Sequence, residues 1–168
     1  ELVLDVSRRL VDLLADEFPT KNVVLSRDED YYLTLEERTE KANELQQDTG
    51  ESVLFISVHA NASLNRNASG FEVWYLPMDY RRRDLITPTQ AGVDDPEVLT
   101  VLNTLREEEI TIESVLLARS ILFGMDETIG DRSPNRGLKE ESWYVVRNAK
   151  MPSVLVEIGF VTNREEFR

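Results

Sequence analysis

Residues 152–160 read PSVLVEIGF. Val154, Leu155 and Val156 precede a carboxylate, Glu157, and Ile158, Gly159 and Phe160 follow it. A run this apolar predicts a strand covered on both faces, as in a sheet layered between helices. Burying an unpaired ionised carboxylate in such a strand costs on the order of several kcal/mol. Either the charge is paired or the strand ends there and opens into a cleft. In open α/β sheets ligands bind outside the carboxyl ends of the strands. Glu157 lies late in its strand, and Gly159 lets the backbone turn away. On this segment alone a buried arginine partner and a catalytic role stand equally open.

A second apolar strand, SVLFISVHA at 52–60, carries the only histidine of the chain, His59, again near its exit. A lone histidine is more often a hydrogen-bonded structural residue than a ligand. The two observations support each other, because an imidazole and a carboxylate leaving neighbouring strands can meet at one sheet edge. A metal-bound neutral imidazole beside a carboxylate base is a known division of labour in zinc hydrolysis.

Strands are also expected at 22–27 (NVVLSR), 71–77 (FEVWYLP) and 143–147 (WYVVR). Helical spacing of Val3, Val6, Leu10, Leu13 and Leu14 predicts a helix over 1–17. Thr34 and Glu37 form a capping box for a helix at about 34–47. Asp95 before Pro96 starts another, and an amphipathic stretch covers about 111–124. Residues 78–95 read as an irregular excursion and 130–138 (GDRSPNRGL) as a loop. The expected class is α/β, a twisted, largely parallel sheet of about five or six strands with helices on both faces.

The 168 residues suit one domain, and 41 % apolar content suits a packed core. A net charge of −13 argues against a general nucleic-acid binder. With no cysteine, thiolate zinc sites and disulfide scaffolds are excluded. No apolar run reaches membrane-spanning length. The chain opens directly in an amphipathic pattern without a signal peptide, so upstream residues are expected.

Taken together, LSRDEDYYLTLEERTEKAN (25–43), FISVHANAS (55–63), NRGLK (135–139) and MPSVLVEIGFVTNREE (151–166) resemble the zinc-dependent N-acetylmuramoyl-L-alanine amidases of the type 3 family. The resemblance covers nearly the whole chain except about 78–110. It implies a Zn2+-dependent hydrolase acting on peptidoglycan or muropeptides, hence a periplasmic or extracellular location in a bacterium. It also implies that His59 is one of three zinc ligands and Glu157 the catalytic base. The pattern is incomplete, because the Gly-His-Gly-Gly loop and the ligand glutamate are not here. Both are expected upstream of Glu1, as in an N-terminally truncated catalytic domain, and Glu1 reads as a neighbour of that glutamate. The alternative is a non-catalytic module that binds muropeptide or a cell-division partner.

Other residues have two readings. Asn61 could contact substrate or simply make a turn, and Arg136 could meet an anionic muropeptide or pair with a nearby acid. Arg38 reads as part of a structural helix, and Arg81, Arg82 and Arg83 as a solvated cluster that could touch the acidic helix. Within the insertion at 78–110, Leu99, Leu102 and Leu105 form an apolar stripe. Glu107, Glu108 and Glu109 could cover the zinc cleft until an activator protein displaces them, or form a solvated face. Serine hydrolysis through Ser57 and His59 is disfavoured: there is no nucleophile elbow, and residues two apart on a strand are expected to lie too far apart for a relay.

Overall fold

The computed structural model describes residues 1–49, 52–82 and 84–166. Helix α1 (Leu2–Glu17) and helix α2 (Leu35–Thr49) come first, then strands β1 (Phe55–Asn61) and β2 (Phe71–Tyr75). Helices α3 (Pro88–Ala91) and α4 (Pro96–Ile129), strand β3 (Asn135–Glu140), helix α5 (Tyr144–Asn148) and strand β4 (Ser153–Phe160) complete the chain.

Local chemistry sets the helix starts. Thr34 N–H donates to Glu37 Oε2 (2.7 Å) and Glu37 N–H to Thr34 Oγ1 (3.1 Å), the reciprocal box expected ahead of α2. Asp95 Oδ1 accepts from Glu97 N–H at 2.9 Å, and Pro96 needs no hydrogen-bond acceptor at the first helical position.

The α/β class holds, with a four-stranded sheet among the described residues in the order β1-β4-β2-β3. Strands β1 and β4 are parallel, as are β2 and β3, while β2 and β4 run antiparallel. Helices cover both faces. Val73, Val154 and Val156 meet Ala118 and Leu117 of α4 on one face, whereas Leu155 and Leu76 meet Val145 and Val146 of α5 on the other.

Several sequence expectations are corrected. Residues 22–27 stay outside the sheet. A groove lined by Val24, Leu25, Ala42, Val53 and Leu54 lies between them and the start of β1, so they gain no ladder. The run at 143–147 is helical, because a short apolar stretch has no period to separate strand from helix and here Val145 and Val146 fill the space under Leu155. Residues 135–138, the end of the expected loop, instead open the edge strand β3. Its Gly and Asn sit at a bulge opposite Phe71 and Val73, with Gly137 at φ 84°. The helices at 96 and 111 are one helix, since REEEIT contains no breaker.

Arg82 is not solvated. Its side chain is 3 % exposed and pairs with Glu107, 2 % exposed, at 2.5 Å. Arg82 also donates to Val146 O at 2.8 Å. This ties the segment after β2 to the middle of α4 beside Ser153, where β4 begins. Four strand residues separate that level from Glu157, about 13 Å at the rise of a strand. Glu107 therefore closes a buried ion pair near the opposite end of the strand from Glu157 rather than standing free above a cleft there. Glu108 and Glu109 are exposed, and Glu109 pairs with Arg106. Of the apolar stripe, Leu99 and Leu102 are half-buried and Leu105 is exposed.

Candidate active site

Sheet register places three ionisable side chains in one row. His59 of β1 is the Cα partner of Glu157 of β4, and Glu157 is the Cα partner of Glu72 of β2. Partners on adjacent strands project to the same face about 4.8 Å apart. The row lies on the α5 side, at the carboxyl ends of β1 and β4, one pleat beyond Leu155. This is the sheet edge that sequence reasoning assigned to the pair His59 and Glu157.

Glu72 was not anticipated. It is 3 % exposed and directly opposite another carboxylate, an arrangement that repels. Its charge is met by Arg136, whose Nε donates to Oε2 at 2.9 Å, and by Asn61, whose Nδ2 donates to Oε1 at 2.9 Å. Asn61 and Arg136, each read as either a substrate contact or a structural residue, are thus brought together on Glu72, and Arg136 pairs with an acid as its second reading had it. Arg136 also donates to Ser69 O at 3.3 Å and lies over the Phe160 ring, 5.0 Å from its centroid. Its side chain remains 40 % exposed.

Glu157 has no such satisfaction. Its Oε2 is buried and accepts no hydrogen bond among the described residues. Burial, and then the negative charge of Glu72, push its carboxyl up to about 7. His59 is half-buried, and burial followed by the Arg38 cation hold its imidazole below the ordinary value. It is therefore the neutral form that stands beside Glu157 at pH 7. Arg38 itself is fixed by donating through Nε to Leu33 O at 3.1 Å, consistent with a structural helix residue.

The row can be tested against the metal that the resemblance implies. A neutral imidazole is a zinc donor, and a neighbouring carboxylate with an unused oxygen suits the base that acts beside such a metal. No group of three or more His, Asp and Glu among the described residues could hold an ion. His59 thus fits as one ligand of a set and not as a complete cage.

One distance departs from expectation. Ser57 Oγ and His59 Nε2 are 2.9 Å apart. The backbone spacing of two strand residues does not keep them apart, because the imidazole is long enough to lean along the strand. Ser57 is only 6 % exposed.

A family model described as N-acetylmuramoyl-L-alanine amidase matches residues 1–168. Among curated proteins, the chain is 32 % identical over 166 residues to the uncharacterized protein YqiI of Bacillus subtilis, covering 99 % of this chain and 61 % of that protein. It is 32 % identical over 168 residues to the N-acetylmuramoyl-L-alanine amidase LytC of the same organism, covering 99 % of this chain and 26 % of LytC. It therefore spans less than two thirds of the length of either relative. Of solved structures, the amidase AmiC2 of Nostoc punctiforme superposes with a TM-score of 0.67 at 25 % identity, over 98 % of this chain and 68 % of that one. With the match running through every residue, the chain belongs to the N-acetylmuramoyl-L-alanine amidase family.

Proposed function

We propose that this chain forms the catalytic domain of a zinc-dependent peptidoglycan hydrolase that cleaves the amide between the lactyl group of N-acetylmuramic acid and the L-alanine of the stem peptide. The observation that carries the reading is the orphan oxygen of Glu157 one rung from His59. A carboxylate left without a partner in a buried row is poised to take a proton.

His59 would contribute one ligand nitrogen of the set that the metal needs. Zinc, when bound, supplies Lewis acidity toward the amide carbonyl and an acidified water. Glu157 accepts a proton as the nucleophilic water attacks and returns one to the alanine nitrogen as the C–N bond breaks, leaving a lactyl carboxylate and a free amine. Burial and the Glu72 charge raise this carboxyl above its ordinary value in the metal-free site, which strengthens it as a proton acceptor. Glu72 fixes the neighbouring wall through Asn61 and Arg136, and the exposed part of Arg136 offers a cation to an anionic muropeptide.

Such a substrate places the enzyme in the periplasm or outside the cell. No helix among the described residues is long and apolar enough to cross a membrane. An activator acting through residues 78–110 would meet α4 on its exposed residues Val98, Val101 and Leu105. The test is incubation of the full-length protein with purified peptidoglycan. Release of stem peptides with free L-alanine amino termini, stopped by a chelator and restored by zinc, is expected. Muropeptide binding without cleavage would instead make this a recognition module.

A further inference from the structure

The contact between Ser57 and His59 has no role in the proton transfers assigned to Glu157. A neutral imidazole carries one proton on one of two nitrogens, and only the bare nitrogen can ligate a metal. Nε2 is engaged by Ser57 Oγ at 2.9 Å, and Ser57 is almost fully buried. A metal ion cannot occupy the side of Nε2 that the hydroxyl already fills, so ligation leaves only Nδ1. Nδ1 is bare only when Nε2 carries the proton, and the hydroxyl oxygen then accepts it.

We propose that Ser57 is a positioning residue that holds His59 as the Nε2–H tautomer and so presents Nδ1 as the metal-donor nitrogen. Its significance rests on His59 being a metal ligand, as the proposed function requires. The tautomer itself can be read without metal or substrate. The competing use of the same contact, Ser57 as a nucleophile, puts the proton on the other nitrogen: the hydroxyl donates to Nε2 and Nδ1 is protonated. The two uses are therefore opposites at one measurable atom.

Because His59 is the only histidine of the 168 residues, its ring nitrogens are unambiguous in a long-range 1H–15N spectrum of the labelled, metal-free chain. At pH 8 the ring is neutral, and the expected spectrum shows protonated Nε2 and bare Nδ1. Zinc alone, added to the metal-free full-length protein, should move Nδ1 of His59 and leave the proton on its Nε2. Ser57→Ala should leave the fold intact by circular dichroism, mix the tautomers, and weaken zinc binding by the full-length protein by roughly 10–100-fold, the usual effect of losing a partner behind a ligand. Ser57→Thr, which keeps the hydroxyl, should restore both. Protonated Nδ1 in the wild type, a zinc-insensitive Nδ1, or unchanged tautomer and zinc affinity in Ser57→Ala would each overturn the proposal. None of these readouts uses peptidoglycan, so failure to hydrolyse it would count against the proposed function alone.

Discussion

Replacing Glu107 with Ala tests the anchoring of α4 and can be worked from the structure. The change leaves the Arg82 guanidinium in a site where its side chain is 3 % exposed. Arg82 keeps its bond to Val146 O and loses both contacts to Glu107, at 2.5 Å and, from its backbone N–H, 3.1 Å. Thr111 Oγ1 also loses its acceptor. Breaking a buried pair from one side typically costs about 3–5 kcal/mol, because the surviving charge has no partner. For a chain of this size that lowers Tm by roughly 6–20 °C. Replacing both partners, as Arg82→Met with Glu107→Leu, removes the stranded charge. Val146 O still accepts from Ser153 Oγ at 3.1 Å, so the double variant should return to within about 1 kcal/mol of wild type. Urea and thermal unfolding of wild type, Glu107→Ala and the double variant make the comparison. A single variant within about 1 kcal/mol of wild type would refute the buried pair. It would also reopen the reading of Glu107 as a free carboxylate in a movable insertion.

Other expectations follow from the row. Glu157 is raised from its ordinary value to about 7, so the fold favours its neutral form; that contribution is present below about pH 4.5 and lost as pH rises through 7. Glu157→Gln should therefore stabilise the metal-free chain at pH 8, by about 1 kcal/mol after solvent screening is allowed for, and leave it unchanged at pH 4. Equal effects at the two pH values would contradict the shift. Glu72→Gln removes the neighbouring charge and should lower the Glu157 midpoint, read by carbon NMR of its labelled carboxyl; a rise would show that Glu72 is not a charged neighbour. Gly159 adopts φ 148°, where a Cβ would be strained and would also meet Glu166 Oε2 at 3.3 Å. Since Glu166 accepts from Phe160 N–H at 2.8 Å, Gly159→Ala should cost about 1–3 kcal/mol in denaturant unfolding, and a neutral effect would contradict that geometry.

The buried strands and capped helices were legible because their signals are local. SVLVEIGF and FISVHAN form β4 and β1, and Thr34 and Asp95 cap the helices they were expected to cap. Elements that depend on partners were not legible. Residues 22–27 have the composition of a strand but no neighbour across the groove, while 135–138 have the composition of a loop yet gain one in β2. The short apolar run at 143–147 could pack as either element. At the site, the pairing of His59 with Glu157 followed from two polar residues at equivalent points of two apolar strands. Glu72 carried the same signal in FEVWYLP, a carboxylate within an apolar run. Applying the rule used for Glu157 would have found it. The contact of Ser57 with His59 depends on side-chain reach, which residue spacing does not encode.

The central claim is that Glu157 moves the proton and does not hold the metal. Its most direct test is Glu157→Gln in the full-length protein, with zinc content and cleavage of purified peptidoglycan measured on the same preparation. The account predicts wild-type zinc content with turnover lowered by roughly 10²–10⁴-fold, the usual contribution of a general acid–base group. Turnover near wild type would contradict the claim, and loss of zinc together with activity would make Glu157 a ligand instead.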